Sequence, residues 1–152
     1  FPYTTLFRSE LVKGVLQSME LFAEQKQAKV SFRQTEPLYV WGDEYKIEQV
    51  VRNYVSNAFN HLAGDMVVEV KIEVKDGIAR TTVFNTGKPI PEEDISHIWE
   101  KFYKVDKAHT REYGGNGIGL SIVKAIMESL HRKYGVENYD NGVAFWFELE
   151  VK

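Results

Sequence analysis

Apolar positions along the chain alternate between a helical and an extended rhythm. From Glu10, Leu11, Val15, Met19 and Phe22 recur at spacings of three and four, which predicts an amphipathic helix. Val30 to Arg33 and Leu38 to Trp41 read as short strands around a Glu36–Pro37 break. Asp43 is a good N-cap for a second helix, whose apolar face is Ile47, Val50, Val51, Tyr54, Val55, Ala58 and Leu62. After Gly64 the period becomes two: Met66–Val74 and Ile78–Phe84 are β-rich runs joined by Asp76–Gly77, a strong hairpin signal. A short helix follows around Pro91 to Trp99. Residues 103–116 are polar, charged and glycine-bearing, and long loops of that kind in compact domains are usually functional. Leu120, Val123, Met127 and Leu130 restore helical spacing. Lys133–Glu137, an Asp140–Asn141–Gly142 turn and Val143–Val151 close the chain as a hairpin. Phe1 to Ser9 carry no period and are left out of the fold as a non-native or disordered segment. The fold class that follows is α/β: a two-layer sandwich of one mixed β-sheet with three main helices on one face.

Composition narrows the options. The 152 residues suit one domain, here residues 10–152, and a 43% hydrophobic, 13% aromatic content supplies a full core. Nineteen basic against 22 acidic residues lack the surplus expected of a dedicated nucleic-acid binder. The absence of cysteine excludes disulfide scaffolds, thiolate zinc sites and cysteine nucleophiles, and fits a cytosolic protein. No apolar stretch is long enough to span a bilayer.

Three segments could carry chemistry. Asn53 and Asn57 lie four apart on the second helix, with Asn60 and His61 continuing the stripe beside the apolar face. They read either as surface amides or as a groove floor whose amide oxygens hold a hard cation such as magnesium. Asn85-Thr86-Gly87-Lys88-Pro89-Ile90 follows a strand, as a simple turn or as part of a site. Gly114-Gly115-Asn116-Gly117-Ile118-Gly119-Leu120 opens the third helix. It is neither a Walker A loop nor a Rossmann turn. It is a mobile glycine hinge, or a place where backbone amides approach an anion at a helix N-terminus. Lys104, Lys107, His109 and Arg111 before it suit polyanion capture or an ordinary solvated charge run.

Their order and spacing resemble the ATP-binding catalytic domain of sensor histidine kinases, the Bergerat (GHKL) fold shared with gyrase, heat-shock chaperone and mismatch-repair ATPases. Asn53–His61 looks like the N-box, Asn85–Ile90 the first glycine box, Trp99–Tyr103 the F-box and Gly115–Leu120 the second glycine box. The wording is similar to VanS-like sensors. The resemblance implies ATP and Mg2+ as cofactors. It makes Asn57 the metal ligand, Asn53 its phosphate-side partner and Lys104 a phosphate-approaching cation, these three forming the catalytic set. Asn85 would face the adenine amino group and Gly87 would leave room for the base. Ile90, His61 and Leu120 would line the pocket, with Asn60, Ile118 and Tyr103 beside it. Gly115, Gly117 and Gly119 would offer amides to the phosphates, and Phe102 would pack under a lid of roughly 104–114.

The chain departs from the family pattern at several positions. Asn85 stands for the usual Asp, Pro89 for a second glycine, Asn60 for Lys or Arg, His61 for Tyr and Asn116 for Thr. An amide at 85 still accepts an N–H but also donates, which weakens selectivity for adenine. The hydrolytic branches carry a Glu where this chain has Asn53, and an amide cannot act as base. The expected function is therefore transfer of the γ-phosphoryl group of Mg-ATP to a histidine, ahead of a GHKL ATPase, a serine-directed anti-sigma kinase or a non-catalytic nucleotide-binding module. His61, His97, His109 and His131 precede Leu, Ile, Thr and Arg, not the acidic residue of the family's acceptor motif. The expected partners are thus a phosphoacceptor histidine domain of the same full-length kinase and, indirectly, a response regulator. No nucleic acid or membrane contact by this chain is expected. The domain would be cytoplasmic, in a bacterial parent anchored in a membrane.

Overall fold

The structure is a computed structural model that describes residues 4–5, 9–33, 38–105 and 117–152. Elements run β1 (Thr4–Thr5), α1 (Ser9–Ser18), α2 (Glu20–Lys26), β2 (Lys29–Arg33), β3 (Val40–Trp41), α3 (Glu44–Asn60), β4 (Val67–Lys75), β5 (Ile78–Thr86), α4 (Glu92–Ile95), α5 (Gly119–Ser129), β6 (Tyr134–Tyr139) and β7 (Gly142–Glu150). Five strands form one sheet in the order β2-β4-β5-β7-β6. β2 is parallel to β4 and every other pair is antiparallel, so the sheet is mixed, as expected.

Local chemistry explains the elements. The Asp43 carboxylate accepts from Lys46 N at 3.1 Å and so caps the first turn of α3. The face predicted for that helix is the buried one, with Ile47, Val50, Val51, Tyr54, Val55 and Ala58 at 1% exposure or less. Its 3.6-residue stripe lies against β5 and between α1 and α5. On β4, Val68, Val70 and Ile72 alternate into the same core, where Phe147 and Leu149 of β7 meet them. Asp76 (φ 53°) and Gly77 (φ 77°) both take the left-handed conformation that a two-residue β4–β5 turn of type I′ demands.

Three local features depart from the sequence reading. The first helix is not continuous: Met19 (φ −108°, ψ 9°) interrupts it and separates α1 from α2. Periodicity misses this because Val15 and Ala23 stay on the buried side of both pieces. Within the segment left out of the fold, Thr4–Thr5 pair antiparallel with Val40–Trp41, and α1 opens at Ser9. The helix expected over Pro91–Trp99 is regular only over Glu92–Ile95. Glu36 and Pro37 lie outside the described residues.

The uncovered sheet face has its own arrangement. Trp146 lies flat across Gly135, where a Cβ would come within 2.7 Å of the indole. The Arg80 guanidinium covers the same ring at 3.8 Å and bonds Glu148 at 2.7 Å. Among the described residues, no helix is long and apolar enough to cross a membrane.

Candidate functional site

α3 is the floor of the site, and the two ends of its asparagine row meet different elements. At the N-terminal end, Asn53 Nδ2 donates to Gln49 O at 2.8 Å, which turns Oδ1 toward the start of α5. A Cβ at Gly119 would sit 3.0 Å from that oxygen, so the glycine lets α5 begin directly beside the amide. One turn on, Asn57 is half-buried and makes no side-chain hydrogen bond to another described residue. Asn60 differs from its neighbours: its Oδ1 is buried without a hydrogen-bond partner among the described residues. His61, the exposed C-cap, lies about 12 Å along the axis from Asn53.

The far end of α3 holds the Asn85–Ile90 segment. Asn85 is 2% exposed, and its Nδ2 donates to His61 O at 3.4 Å and Thr86 O at 3.0 Å. Both partners are carbonyls, so the amide nitrogen must face them and the oxygen is the arm left for an incoming donor. Asn85 Nδ2 is thereby engaged with backbone carbonyls. Gly87 also has a packing role. A Cβ there would fall 2.5 Å from His61 O, so the missing side chain lets the segment close onto the helix. Ala63 N bonds Thr86 O at 3.0 Å alongside.

The β6–β7 turn holds the segment from its other side. Gly87 N donates to Asn141 O at 3.0 Å. Ile90 N donates to Asn138 Oδ1 at 3.0 Å, while Asn138 Nδ2 donates to Ile90 O at 2.8 Å. A Cβ at Gly142 would meet Asn85 O at 2.1 Å. Sequence reasoning missed Asn138 entirely. Its only local signal was an asparagine ahead of a turn, whereas its partner lies forty-eight positions away.

The segment after α4 meets the start of α5. Ile98 is buried, and Trp99 packs edge-on against Tyr134 at 4.9 Å and Phe145 at 5.8 Å. Phe102 N donates to Gly117 O at 2.7 Å, with Phe102 at φ 65° and Gly117 at φ 77°. A Cβ at Gly117 would meet Phe102 Cα at 2.8 Å and Lys104 Cε at 3.2 Å, so the Lys104 stem lies across the glycine. The Phe102 ring is 70% exposed, and the lid expected above it falls mostly outside the described residues. Tyr103 is tied to α4 and the turn after it. Its hydroxyl donates to Asp94 and its ring stacks on His97 at 5.2 Å. That hydrogen bond, then burial and the charges of Asp94, Glu100 and Glu93, raise its pKa above the ordinary tyrosine value.

Ile118 and Leu120 flank Gly119, partly buried, at the point where α5 begins. Ile118 O accepts from Ile122 N at 3.0 Å and from Ser121 Oγ at 2.7 Å. The first N–H groups of a helix have no partner inside it and attract negative charge. Gly115, Lys107, His109 and Arg111 lie outside the described residues. The structure thus joins Asn53, Gly117, Gly119 and Lys104 beside the middle of α3, and His61, Asn85, Gly87 and Ile90 at its C-terminal end. Such a groove suits an elongated ligand with a flat hydrogen-bonding end and an anionic end. Among the described residues, no group of three His, Asp or Glu side chains could hold a metal by itself.

Comparison with known proteins gives a consistent result. The profile of the family "Histidine kinase-, DNA gyrase B-, and HSP90-like ATPase" matches residues 42–152. The chain is 36% identical over 102 residues to the probable sensor kinase SilS of Salmonella typhimurium, covering 67% of this chain and 20% of SilS. It is 32% identical over 130 residues to the sensor protein VanS of Enterococcus faecium, covering 86% of this chain and 33% of VanS. The chain therefore spans about a fifth to a third of these relatives' length. The nucleotide-free catalytic domain of histidine kinase ThkA superposes with a TM-score of 0.83 at 32% identity, over 97% of this chain and 95% of that one. ThkA in complex with the response regulator protein TrrA superposes at 0.81 and 31% identity, over 98% of this chain and 42% of that one.

Proposed function

The chain belongs to the histidine kinase-, DNA gyrase B- and HSP90-like ATPase family, as an ATP-binding catalytic domain of the sensor histidine kinase type, and from that membership we propose that it transfers the γ-phosphoryl group of Mg-ATP to a histidine on a separate phosphoacceptor domain. The observation that carries this reading is the meeting of Asn53, Gly119, Gly117 and Lys104 at the start of α5. It gathers an amide, a helix N-terminus and a cation, with an amide rather than a carboxylate at position 53, so that residue cannot act as base toward a water. Phosphoryl transfer needs positioning and charge neutralisation rather than a base from the nucleotide domain.

Magnesium fits the donors present. Asn57 offers an oxygen beside Asn53, and with no carboxylate cage among the described residues the other ligands must be phosphate and water, which this ion accepts. Asn57 would hold the ion, which would supply charge neutralisation at the phosphates. The chain's own residues do the rest. Asn53 orients the phosphate side, Lys104 and the α5 amides bind the negative charge, and the fixed Asn85 oxygen accepts the adenine amino group. Phe102 helps to exclude water when the ligand is seated. The acceptor imidazole is neutral at pH 7 and is itself the nucleophile. The phosphorylated histidine then supplies a response regulator, and the bacterial parent is anchored in a membrane while this domain lies in the cytoplasm.

Labelled ATP given to the chain alone should leave all four histidines unlabelled. Adding the parent's dimerisation and phosphoacceptor domain should give slow label transfer that depends on acceptor concentration. The product should be acid-labile and base-stable. Rapid phosphate release without an acceptor, or stoichiometric label on His61, His97, His109 or His131, would overturn the reading.

A further inference from the structure

We propose that Asn138 is a positioning residue for the base-side wall of the nucleotide pocket, acting through the backbone of Ile90. This deepens the functional reading above and rests on it. The wall leaves β5 at Thr86 and crosses to α4 without regular secondary structure, so its backbone groups find no ladder of their own. On one side it is fastened to the end of α3, through Asn85 Nδ2 to His61 O and Ala63 N to Thr86 O. Those bonds end at Thr86. Beyond it, the fixed points are Gly87 N to Asn141 O and the reciprocal pair between Asn138 and Ile90.

The chemistry of the pair is specific to a carboxamide. Asn138 must accept from Ile90 N and donate to Ile90 O at the same time, and only an amide side chain offers both roles side by side. A carboxylate keeps the acceptor and loses the donor, and a methyl group loses both. The pair therefore acts like a single extra rung of β-sheet, fixing the peptide at Ile90 against the end of β6 and so setting the depth of its side chain. The β6–β7 turn itself cannot drift, because Gly142 abuts Asn85 O so closely that no Cβ fits between them. Rigidity therefore passes from the sheet through Asn138 to a wall that would otherwise be a free loop.

Calorimetric titration of ADP, with residue-resolved amide exchange on the same samples, tests this on the chain, Asn138→Ala and Asn138→Asp. Asn138→Ala should speed exchange at Ile90, leave α3 and β5 protected, and weaken ADP about fivefold, the scale of a lost pair of exposed hydrogen bonds. Asn138→Asp should fall between the two. Unchanged ADP affinity in Asn138→Ala would overturn the proposal and leave the functional reading standing. So would a loss accompanied by faster exchange throughout α3 and β5, since that is general unfolding. A wild-type chain with no affinity for ADP would instead overturn the functional reading, and this proposal with it.

Discussion

The two ends of the groove along α3 are built by opposite means. The proposed base side is a closed web of hydrogen bonds, in which Asn85, Gly87 and Ile90 are tied to α3 on one flank and to the β6–β7 turn on the other. The proposed phosphate side is held by close approach. Gly119 sits against Asn53, Gly117 sits against Phe102 and Lys104, and one backbone bond joins Phe102 to Gly117. A flat base is recognised by fixed donors and acceptors, so its wall gains from being rigid before binding. Phosphates are bound by charge and backbone amides that can gather around them, so that end tolerates freedom.

Substitutions on each side should therefore fail differently. The largest effect is expected from Gly142→Ala, whose Cβ would meet Asn85 O at 2.1 Å at the end of the β5–β7 pair, where Gly142 faces Thr86. It should cost about 3 kcal/mol of stability, read by urea unfolding, because the Asn85 backbone and the Phe84 ring beside it cannot yield cheaply. Asn57→Ala should leave the urea midpoint unchanged and remove the magnesium-dependent part of ATP affinity, about tenfold, seen by calorimetry with and without the ion. Equal affinity in both conditions for the wild type would show that Asn57 has no metal role. Gly117→Ala should weaken ATP about fivefold with a smaller stability change than Gly142→Ala, the usual strain of a left-handed residue without glycine's freedom. A stability loss as large as that of Gly142→Ala would erase the contrast between the two sides.

The smallest effect concerns Tyr103, which ties α4 to the segment leading to α5. Its pKa is raised, so the tie is fully made below the ordinary tyrosine value near 10 and is lost as pH rises through the raised one. Ultraviolet titration should place its ionisation above that of an exposed tyrosine, and Asp94→Asn should bring it down. No change in Asp94→Asn would detach Tyr103 from α4.

How far the sequence could be read follows the range of the interactions. The α3 face, the Asp43 cap and the Asp76–Gly77 turn depend on neighbours within a few positions, so their patterns were legible. Asn53, Gly117, Gly119 and Lys104 came together because motif order encodes their meeting. The break at Met19 was hidden because both helix pieces bury the same side. Asn138 was hidden for another reason, since its partner is remote and no periodic pattern marks a side chain that bonds to distant backbone. The Tyr103 contacts with Asp94 and His97 were hidden because adjacency to Phe102 and Lys104 says nothing about the direction of a ring.

The single parallel pairing in the sheet has a consequence for the order in which the molecule assembles. β4 with β5, and β6 with β7, are hairpins closed by two-residue turns, and such contacts form early because their loops are short. Lys29 meets Val67 only after the chain has traversed β3 and all of α3, a much longer loop to close. The antiparallel strands should therefore acquire protection first in pulse-labelled refolding, with α3 docking on them next. β2 should arrive last, leaving one edge of β4 unpaired for the longest part of folding.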